Sequence, residues 1–204
     1  MDVKLNLINL SKDTNNSEIL IFLKEASDID ESAVAWQVIR NLGQGDNYPF
    51  VYPAASTIAA SDSWGNYTPQ LSATPGQLFA MVRTTSGDEL VAKGTSSAPS
   101  EIQCANDLPQ GAISVGIYKS GKLLATKTGI APGQMAAFKF EPYLYIDVAS
   151  QVVEGDIIDA AIISNIQWKL SLHGISSADI VMTDGGRYSG LPFHFLLSNI
   201  VTAP

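Results

Sequence analysis

Apolar and polar residues alternate with a period of two along several short stretches of this chain. The alternation is clearest in residues 166–172, and it recurs in residues 3–7, 34–38 and 113–118. Successive side chains of a β-strand point to opposite faces of the sheet, so this period indicates strands with one buried face. Turn-forming residues separate the stretches about every ten residues, which is typical of β-sandwiches. We therefore predict an all-β fold, a single antiparallel β-sandwich of the jelly-roll type with little helix.

Two stretches depart from this pattern. Residues 157–163 are an apolar run that periodicity alone cannot assign to a helix or a strand. Residues 43–69 are interrupted by glycine and proline and are predicted to be irregular. This second stretch also holds the densest group of aromatic residues in the chain.

Two near-matching segments, Pro75-Gly76-Gln77 and Pro132-Gly133-Gln134, each precede an apolar run. Pro fixes φ near the value that the second residue of a turn needs, and Gly tolerates positive φ at the third. Each segment is therefore predicted to be a type II turn at the corner of a β-hairpin. The pair also raises an alternative, a pseudo-repeat of two halves with its boundary near the linker-like residues 94–100. We favour one domain over residues 1–204, with residues 94–100 as a long loop inside it.

The composition is poor in charge. Charged residues make up 16% of the chain and apolar residues 46%, whereas about a quarter of an average soluble domain is charged. Such a surface suggests that further copies of the chain cover part of it, so we expect a homo-oligomer. The formal net charge is −8 and no basic run occurs. This acidic chain is not expected to bind nucleic acid or anionic lipid.

Cys104 is the single cysteine, so no internal disulfide can form. A reducing compartment is the simplest interpretation. The first residues show no positively charged segment followed by an apolar one, so no cleavable signal peptide is evident. No apolar run reaches the roughly 18 residues that a transmembrane helix requires. We expect a cytoplasmic protein, or one exported without a conventional signal peptide, and no transmembrane segment.

The sequence contains no motif that indicates catalysis. The Gly-x-Ser-x-Gly pattern of hydrolases does not occur, and Cys104 has no neighbouring signature. His173 and His194 are the two histidines, too few for a zinc site in the absence of paired cysteines or a His-Glu-x-x-His pattern. Gly43-Gln44-Gly45 lacks the third glycine and the strand-to-helix context of a dinucleotide-binding loop. We therefore expect neither an enzyme nor a bound cofactor or metal.

The acidic segment Asp28–Ser32 is similar to the start of a calcium-binding loop. An EF-hand that began at Asp28 would need Gly at its sixth position and Glu at its twelfth, but Ala33 and Ile39 stand there. Carboxylates on adjacent loops, such as Asp46 and Asp62, are the alternative calcium ligands. We favour a solvated acidic turn over a calcium site.

The aromatic stretch 43–69 is the best candidate for a ligand site. Sugars are recognised by aromatic faces on which the ring stacks, together with amide and carboxylate groups that hold the hydroxyls. The candidate ligand-binding residues are Asp46, Asn47, Tyr48, Asp62, Trp64, Asn66 and Tyr67. The alternative is that these rings fill the end of the sandwich or form a contact between subunits.

The glycine-rich loop of residues 184–190 is a second exposed candidate. Arg187 and Tyr188 could contact a partner there, although a plain connecting loop is the default interpretation.

Three functions agree with this sequence. The leading one is a non-enzymatic binding or assembly protein, a homo-oligomer that forms through aromatic loops and through edge strands at Val3–Leu7 or Phe193–Leu197. The second is a carbohydrate-binding module, with or without the help of calcium. The third is a membrane-active β-sandwich that docks through exposed aromatic residues, as pore-forming sandwich proteins do.

Overall fold

The computed structural model describes residues 1–13, 17–26, 33–158, 160–186 and 190–203, which form eighteen strands and one short helix. The first nine strands are β1 (Val3–Asn9), β2 (Ile19–Phe22), β3 (Ala33–Val34), β4 (Gln37–Ile39), β5 (Asn47–Tyr52), β6 (Ser56–Ser61), β7 (Leu71–Ala73), β8 (Gln77–Thr84) and β9 (Gly87–Thr95). The remaining elements are β10 (Ile102–Asn106), β11 (Ile113–Lys119), β12 (Lys122–Ile130), β13 (Met135–Phe138), β14 (Tyr143–Val148), β15 (Ile157–Ile158), α1 (Ala160–Asn165), β16 (Trp168–Ser171), β17 (Ile175–Asp184) and β18 (Phe193–Thr202). The prediction of an all-β protein with little helix is confirmed, and the several antiparallel sheets are consistent with a sandwich.

The chain is organised in two compact units, each built from separate segments. The first unit comprises Met1–Lys24, Glu31–Ala54 and Pro142–Pro204, and the second comprises Glu25–Asp30 and Ala55–Glu141. The linker-like residues 94–100 lie inside the second unit, where Gly94 and Thr95 still belong to β9. The jelly-roll type and the single domain over the whole chain stay predictions.

The first unit contains two four-stranded sheets. One has the order β18-β17-β1-β5 and the other β16-β14-β2-β4, and β3 and β15 form a separate two-stranded ladder. β1 runs parallel to β17 and antiparallel to β5. The prediction that Val3–Leu7 is an edge is therefore wrong, because β1 has a partner on each side. Phe193–Leu197 does lie in a strand at the end of a sheet, β18.

The core of the first unit is filled by aromatic and branched side chains. Trp36 is fully buried, and the rings of Phe50 and Tyr52 meet it edge-on at centroid distances of 6.4 and 5.9 Å. All four residues of β2 are buried, because the connection from β14 to β16 covers one of its faces. β2 and this connection form a buried cluster separate from the rings around Trp36. Its buried residues are Leu20, Phe22, Ala33, Ala35, Val152, Ile158 and Ile163.

The ambiguous run 157–163 lies in this connection and contains both kinds of structure. Ile157 and Ile158 form β15, and the helix α1 starts at Ala160. Ile163 on α1 belongs to the buried cluster around β2, so the apolar run serves to cover the sheet. No helix of the described residues has the length and hydropathy needed to cross a membrane.

The second unit also contains two four-stranded sheets, with the orders β13-β10-β8-β9 and β12-β11-β6-β7. β10 runs parallel to β8 and antiparallel to β13. The hairpin of β11 and β12 forms as its alternating pattern predicts. Its turn residues Ser120 and Gly121 both have positive φ, 51° and 74°, which is the conformation of a tight hairpin turn.

The two Pro-Gly-Gln segments form turns of the predicted type. Gly76 and Gly133 have φ of 87° and 79°, a region that favours glycine. The side chain of Gln77 accepts a hydrogen bond from the Thr74 N–H at 2.8 Å, and Gln134 repeats this contact with the residue three positions before it at 3.0 Å. In each turn the glutamine side chain thus adds a hydrogen bond across the turn.

The prediction that these turns are hairpin corners is wrong. β7 and β8 belong to different sheets, and so do β12 and β13. Each turn carries the chain from an end strand of one sheet into the other sheet of the same unit. The strands on either side of each turn do not pair with each other. β7 pairs with β6 while β8 pairs with β9 and β10, and β12 pairs with β11 while β13 pairs with β10.

Both turns also hold the central strand β10. The Gly76 N–H donates to the carbonyl of Glu101 just before β10, and the Gly133 N–H donates to the carbonyl of Asn106 at its end, both at 2.8 Å. The fully buried Asn106 side chain donates to the carbonyls of Gly111 and Ile130, and its oxygen accepts from the Leu108 N–H. Asn106 thus connects the strand, the turn after β12 and the loop that follows β10.

We predict that Asn106→Ala lowers the free energy of unfolding by about 2–3 kcal/mol, because the Ile130 carbonyl and the Leu108 N–H lose their partners in buried surroundings. Urea denaturation followed by far-ultraviolet circular dichroism measures the change. The exposed Gln110 is the matched control, and Gln110→Ala should change stability by less than about 0.5 kcal/mol. An Asn106→Ala protein as stable as this control would contradict the assigned role.

Candidate functional site

The connection between β6 and β7 begins with a short loop, residues 62–67, that we call the aromatic loop. The Asp62 carboxylate accepts hydrogen bonds from the N–H groups of Trp64 and Asn66 through one oxygen and from the Asn66 side-chain amide through the other, each at 2.9 Å. The Asp62 N–H donates to the Asn66 carbonyl at 3.1 Å. Gly65 takes φ of 85°, which lets the loop close tightly. The loop therefore has a fixed shape.

These contacts keep Asp62 ionised. The side-chain amide of Asn66, followed by its N–H, lowers the pKa of the Asp62 carboxyl below its usual range. Both oxygens of Asp62 are thus directed at the loop's own donors. The residue shapes the aromatic loop, and its role as a ligand group stays a prediction.

The aromatic loop exposes two flat side chains. Trp64 is 88% exposed and Tyr67 is 72% exposed. Tyr67 is tied to the end of β6 by a β-bridge with Ser61. Burial raises the pKa of the Tyr118 phenol, and the charge of Tyr67 raises it further. A loop backbone that is fixed before a ligand arrives loses little freedom on binding.

A cleft of about 300 Å³ opens beside Trp64, entirely within the second unit. Its walls are formed by the aromatic loop, the β8–β9 hairpin and the loop after β10. The lining residues are Asp62, Ser63, Trp64, Arg83, Asp88, Leu108, Gln110, Gly111 and Ala112. Aromatic, apolar and charged groups therefore meet in one small space.

The charged part of the cleft is an ion pair. Arg83 and Asp88 occupy paired positions of β8 and β9, and the guanidinium donates to the carboxylate through Nε and Nη2. The Arg83 side chain is 53% exposed, so part of its guanidinium faces solvent. On the opposite wall, Asn106 fixes Leu108 and Gly111 through the hydrogen bonds described above.

The other three predicted ligand residues lie in the first unit. Asp46 ends a turn, where its carboxylate accepts from the Gly43 N–H at 3.0 Å. Asn47 and Tyr48 begin β5, the end strand next to β1, and Tyr48 is 40% exposed. The seven candidate residues thus fall into two groups in different units, and the structure gathers only Asp62, Trp64, Asn66 and Tyr67 in one loop.

The prediction that residues 43–69 are irregular is wrong, because β5 and β6 lie within them. Two of the five aromatic residues there, Phe50 and Tyr52, point into the core against Trp36. Proline at position 49 did not prevent the strand, since β5 lies at the end of its sheet.

The remaining candidate sites are the partner contact, the acidic segment and a metal site. The partner-contact candidates Arg187 and Tyr188, and the acidic segment Asp28–Ser32, lie outside the described residues. Within the described ranges, no three His, Cys, Asp or Glu side chains come close enough together to hold a metal ion.

The histidines and the cysteine each have apolar or aromatic neighbours. His173 meets the ring of Tyr143 edge-on at 5.4 Å, and His194 lies 4.1 Å from the ring of Trp168. Cys104 is fully buried, and burial, followed by the charge of Asp107, raises the pKa of its thiol to about 12. This thiol stays protonated at neutral pH and is not an activated nucleophile.

Sequence reasoning missed the far walls of the cleft, formed by Arg83, Asp88 and residues 108–112. The turn signal at Ser86 and Gly87 indicated that two strands meet there. A two-residue turn at those positions would place Arg83 opposite Leu90, whereas the turn falls one residue earlier and pairs Arg83 with Asp88. No local pattern could have shown that this hairpin stands beside Trp64.

Comparison of the chain with protein-family models, with curated proteins and with solved structures found no match in any of the three.

We predict that Asp62→Asn loosens the aromatic loop, because the new side-chain amide brings a second donor toward the amide of Asn66. Amide hydrogen exchange of Trp64 and Asn66, followed by NMR, should become several-fold faster. Ser63→Ala in the same loop is the control and should leave both exchange rates unchanged. Equal exchange in Asp62→Asn and the parent protein would show that the carboxylate does not hold the loop.

The same contacts give a pH dependence. The pKa of Asp62 is lower in the folded state than its ordinary value. The carboxylate therefore stays ionised and keeps the hydrogen bonds of the loop at higher pH, and these bonds are lost only as the pH falls through the lowered pKa. NMR shifts of the Trp64 and Asn66 amides should therefore titrate below the range of a free aspartate.

Proposed function

We propose that this protein is a non-enzymatic binding protein that takes up a carbohydrate at the aromatic loop and the cleft. The observation that carries the proposal is the pair of exposed rings, Trp64 and Tyr67, on a loop fixed by Asp62. An isolated exposed ring is common on protein surfaces, but an exposed ring on a hydrogen-bonded loop beside polar groups is the arrangement that sugars use.

The chemistry of the cleft agrees with a sugar ligand. The C–H face of a sugar ring stacks on an indole, while its hydroxyls both donate and accept hydrogen bonds. Arg83 and Gln110 supply donors, and Asp88 supplies an acceptor, all within the lining of the cleft. The volume of about 300 Å³ lies at the lower end of the range for small-ligand pockets, about 300–1,000 Å³.

The charges favour an uncharged sugar. Two carboxylates, Asp62 and Asp88, line the cleft against one guanidinium, and that guanidinium is already paired with Asp88. An acidic sugar would have to displace this pair or meet an unbalanced negative charge. We therefore expect neutral mono- or oligosaccharides to bind better than uronic acids.

We predict binding to neutral glycans on a glycan array, in the presence and in the absence of a chelator. Trp64→Ala should weaken this binding about tenfold or more, because the stacking surface is removed. Tyr48→Ala removes an exposed ring of the first unit and is the matched control that should bind normally. Absence of binding in both conditions contradicts the proposal, and dye release from neutral vesicles would favour the membrane-active alternative.

A second candidate function is self-assembly through β18, the ten-residue strand at the end of its sheet. Leu196, Ile200 and Val201 on this strand are 37%, 51% and 54% exposed. The Trp168 indole donates to the Phe193 carbonyl at 3.0 Å and so occupies the start of the strand, which leaves its later residues for a partner. An end strand with exposed apolar side chains is a template for pairing with a second copy.

We predict more than one chain per particle in size-exclusion chromatography with light scattering at micromolar concentration. Lysine at positions 200 and 201 (Ile200→Lys with Val201→Lys) should shift the protein toward a monomer, because charge on an end strand opposes pairing. Val153→Lys changes an equally exposed apolar residue away from β18 and should leave the oligomer intact. A monomeric parent protein excludes assembly by this route.

A further inference from the structure

The two units share one strand-pairing scheme. In the first unit one sheet has the order β18-β17-β1-β5, and in the second unit one sheet, given from the other end, has the order β9-β8-β10-β13. In both sheets the outer pairs are antiparallel and the middle pair is parallel. A four-stranded sheet with one parallel pair at its centre thus occurs in each unit.

The second sheets correspond in the same way. Their orders are β16-β14-β2-β4 and β7-β6-β11-β12, and every neighbouring pair is antiparallel. Each strand of a four-stranded sheet therefore has one counterpart. The counterparts are β1 and β10, β2 and β11, β4 and β12, β5 and β13, β6 and β14, β7 and β16, β8 and β17, and β9 and β18.

These counterparts follow each other in the same order along the chain. The first member of every pair lies in residues 3–95 and the second member in residues 102–202. β3, β15 and α1 are the described elements without a counterpart in this scheme.

Hydrogen bonds of single residues match as well as the topology. Asn9 at the end of β1 donates from its N–H to Asp46 O at 3.0 Å and accepts from the Gly45 N–H at 2.6 Å, and its side-chain amide donates to Leu42 O at 2.7 Å. Asn106 at the end of β10 makes the same three contacts with Gln134, Gly133 and Ile130, at 2.9, 2.8 and 2.8 Å. In both cases the three partners occupy the same positions of one turn.

The strand beside each asparagine agrees too. Asn9 pairs with Met182 across the parallel ladder of β1 and β17, and Asn106 pairs with Met81 across that of β10 and β8. The residue after each asparagine then donates its N–H to the carbonyl of that methionine, at 2.8 and 3.0 Å. Topology can recur by chance in β-sandwiches, but the same side chain with the same partners points to two copies of one sequence.

The turns before β8 and β17 supply an independent match. Gly76 and Gly174 have positive φ, 87° and 66°. The carbonyl of Gly76 accepts from the N–H of Ser96, and that of Gly174 accepts from the N–H of Ala203, each at 2.8 Å. Ser96 and Ala203 are the residues directly after β9 and β18, which are themselves counterparts.

We infer that the chain consists of two copies of one repeat, residues 3–95 and 102–202, and that each half of a copy fits the complementary half of the other copy. The first unit joins β1–β5 of the first copy to β14–β18 of the second, and the second unit joins β6–β9 of the first to β10–β13 of the second. The partner that each half recognises is thus a second copy of the repeat. Such an exchange is the intramolecular form of domain swapping.

The short ladder of β3 with β15 joins the two copies in the first unit. The larger surfaces that recognise each other are two strand ladders of the four-stranded sheets in each unit. In the first unit they are the parallel ladder of β1 with β17 and the antiparallel ladder of β2 with β14. In the second unit they are the ladders of β10 with β8 and β11 with β6. All other pairs of the four-stranded sheets join strands of the same copy.

A cut between the copies tests this inference on the full chain. A protease site is inserted between Pro99 and Ser100, which are both exposed, and the folded protein is cleaved there. The two fragments should elute together at the size of the uncut chain in native buffer and separate only in urea. Fragments that separate in native buffer would overturn the exchange.

Cysteine pairs test the same point without an insertion. Asn6 of β1 pairs with Asp179 of β17, which belongs to the second copy. The counterpart of Asp179 in the first copy is Leu78 of β8. If each copy formed its own sheets, Asn6 would therefore lie opposite Leu78. Asn6→Cys with Asp179→Cys should form a disulfide in nearly all molecules, whereas Asn6→Cys with Leu78→Cys should form none. The buried Cys104 does not interfere. Peptide mapping that finds the opposite pattern would overturn the inference, whether or not the protein binds a sugar.

Interchange of the matched turns tests the equivalence of the copies. Gly43→Ala, Gln44→Pro and Asp46→Gln together give the first copy the turn of the second, with the positive-φ Gly45 retained. This protein should keep its circular dichroism spectrum and its Asn9 hydrogen bonds. Gly45→Ala is the control and should lower the melting temperature, since φ at this position is 87°. A triple variant that loses the fold would contradict the equivalence.

Discussion

Each unit depends on one pair of parallel strands. A parallel pair cannot be closed by a tight turn, so it joins segments that are separated along the chain. β1 and β17 come from opposite ends of the sequence, whereas β8 and β10 are separated only by β9. The first unit therefore cannot close until both terminal segments are available, and its ladder joins residues farther apart in sequence than any other ladder of the described strands.

The candidate site is built outward from the parallel ladder of the second unit. Asn106 ends β10, and its side chain fixes the loop that carries Leu108 and Gly111. β8 lies beside β10 and carries Arg83, which meets Asp88 across the following hairpin. The aromatic loop comes from the other sheet of the unit and brings Trp64 to the same cleft. Displacement of β10 would therefore move two of the three walls at once, although no residue of β10 lines the cleft.

Local patterns predicted what depends on local physics. The alternation of Val3, Leu5 and Leu7 indicated a half-buried strand, and the Ser120-Gly121 pair indicated a hairpin turn, because side-chain period and φ preference belong to a few adjacent residues. Pairing partners are not local. The sequence did not reveal that β1 lies inside its sheet, or that the Pro75-Gly76 turn crosses between sheets, since both depend on strands placed far away along the chain.

The same limit applies to the site. Trp64 and Tyr67 were identified because aromatic residues next to Asp and Asn are a local signal, and the exposure of both rings agrees with that signal. Asp62 was identified by the same signal, and the structure adds that its carboxylate holds the loop. Local patterns could not assign Arg83 and Gln110 to the site, because only the packing of three separate segments places them in one cleft.

The connection that corresponds to the aromatic loop in the proposed repeat differs from it in length and in role. The aromatic loop lies between β6 and β7, and its counterpart is the connection between β14 and β16, which contains β15 and α1. In the first unit this longer connection buries Ile163 against β2 and so covers the sheet. In the second unit the corresponding strand, β11, keeps a half-buried Tyr118 whose ring lies within about 3 Å of where a Cβ on Gly116 would be. A side chain at Gly116 would displace that ring. The connection between β14 and β16 thus completes the core of the first unit, whereas the connection between β6 and β7 is shorter and exposes Trp64 and Tyr67 to solvent.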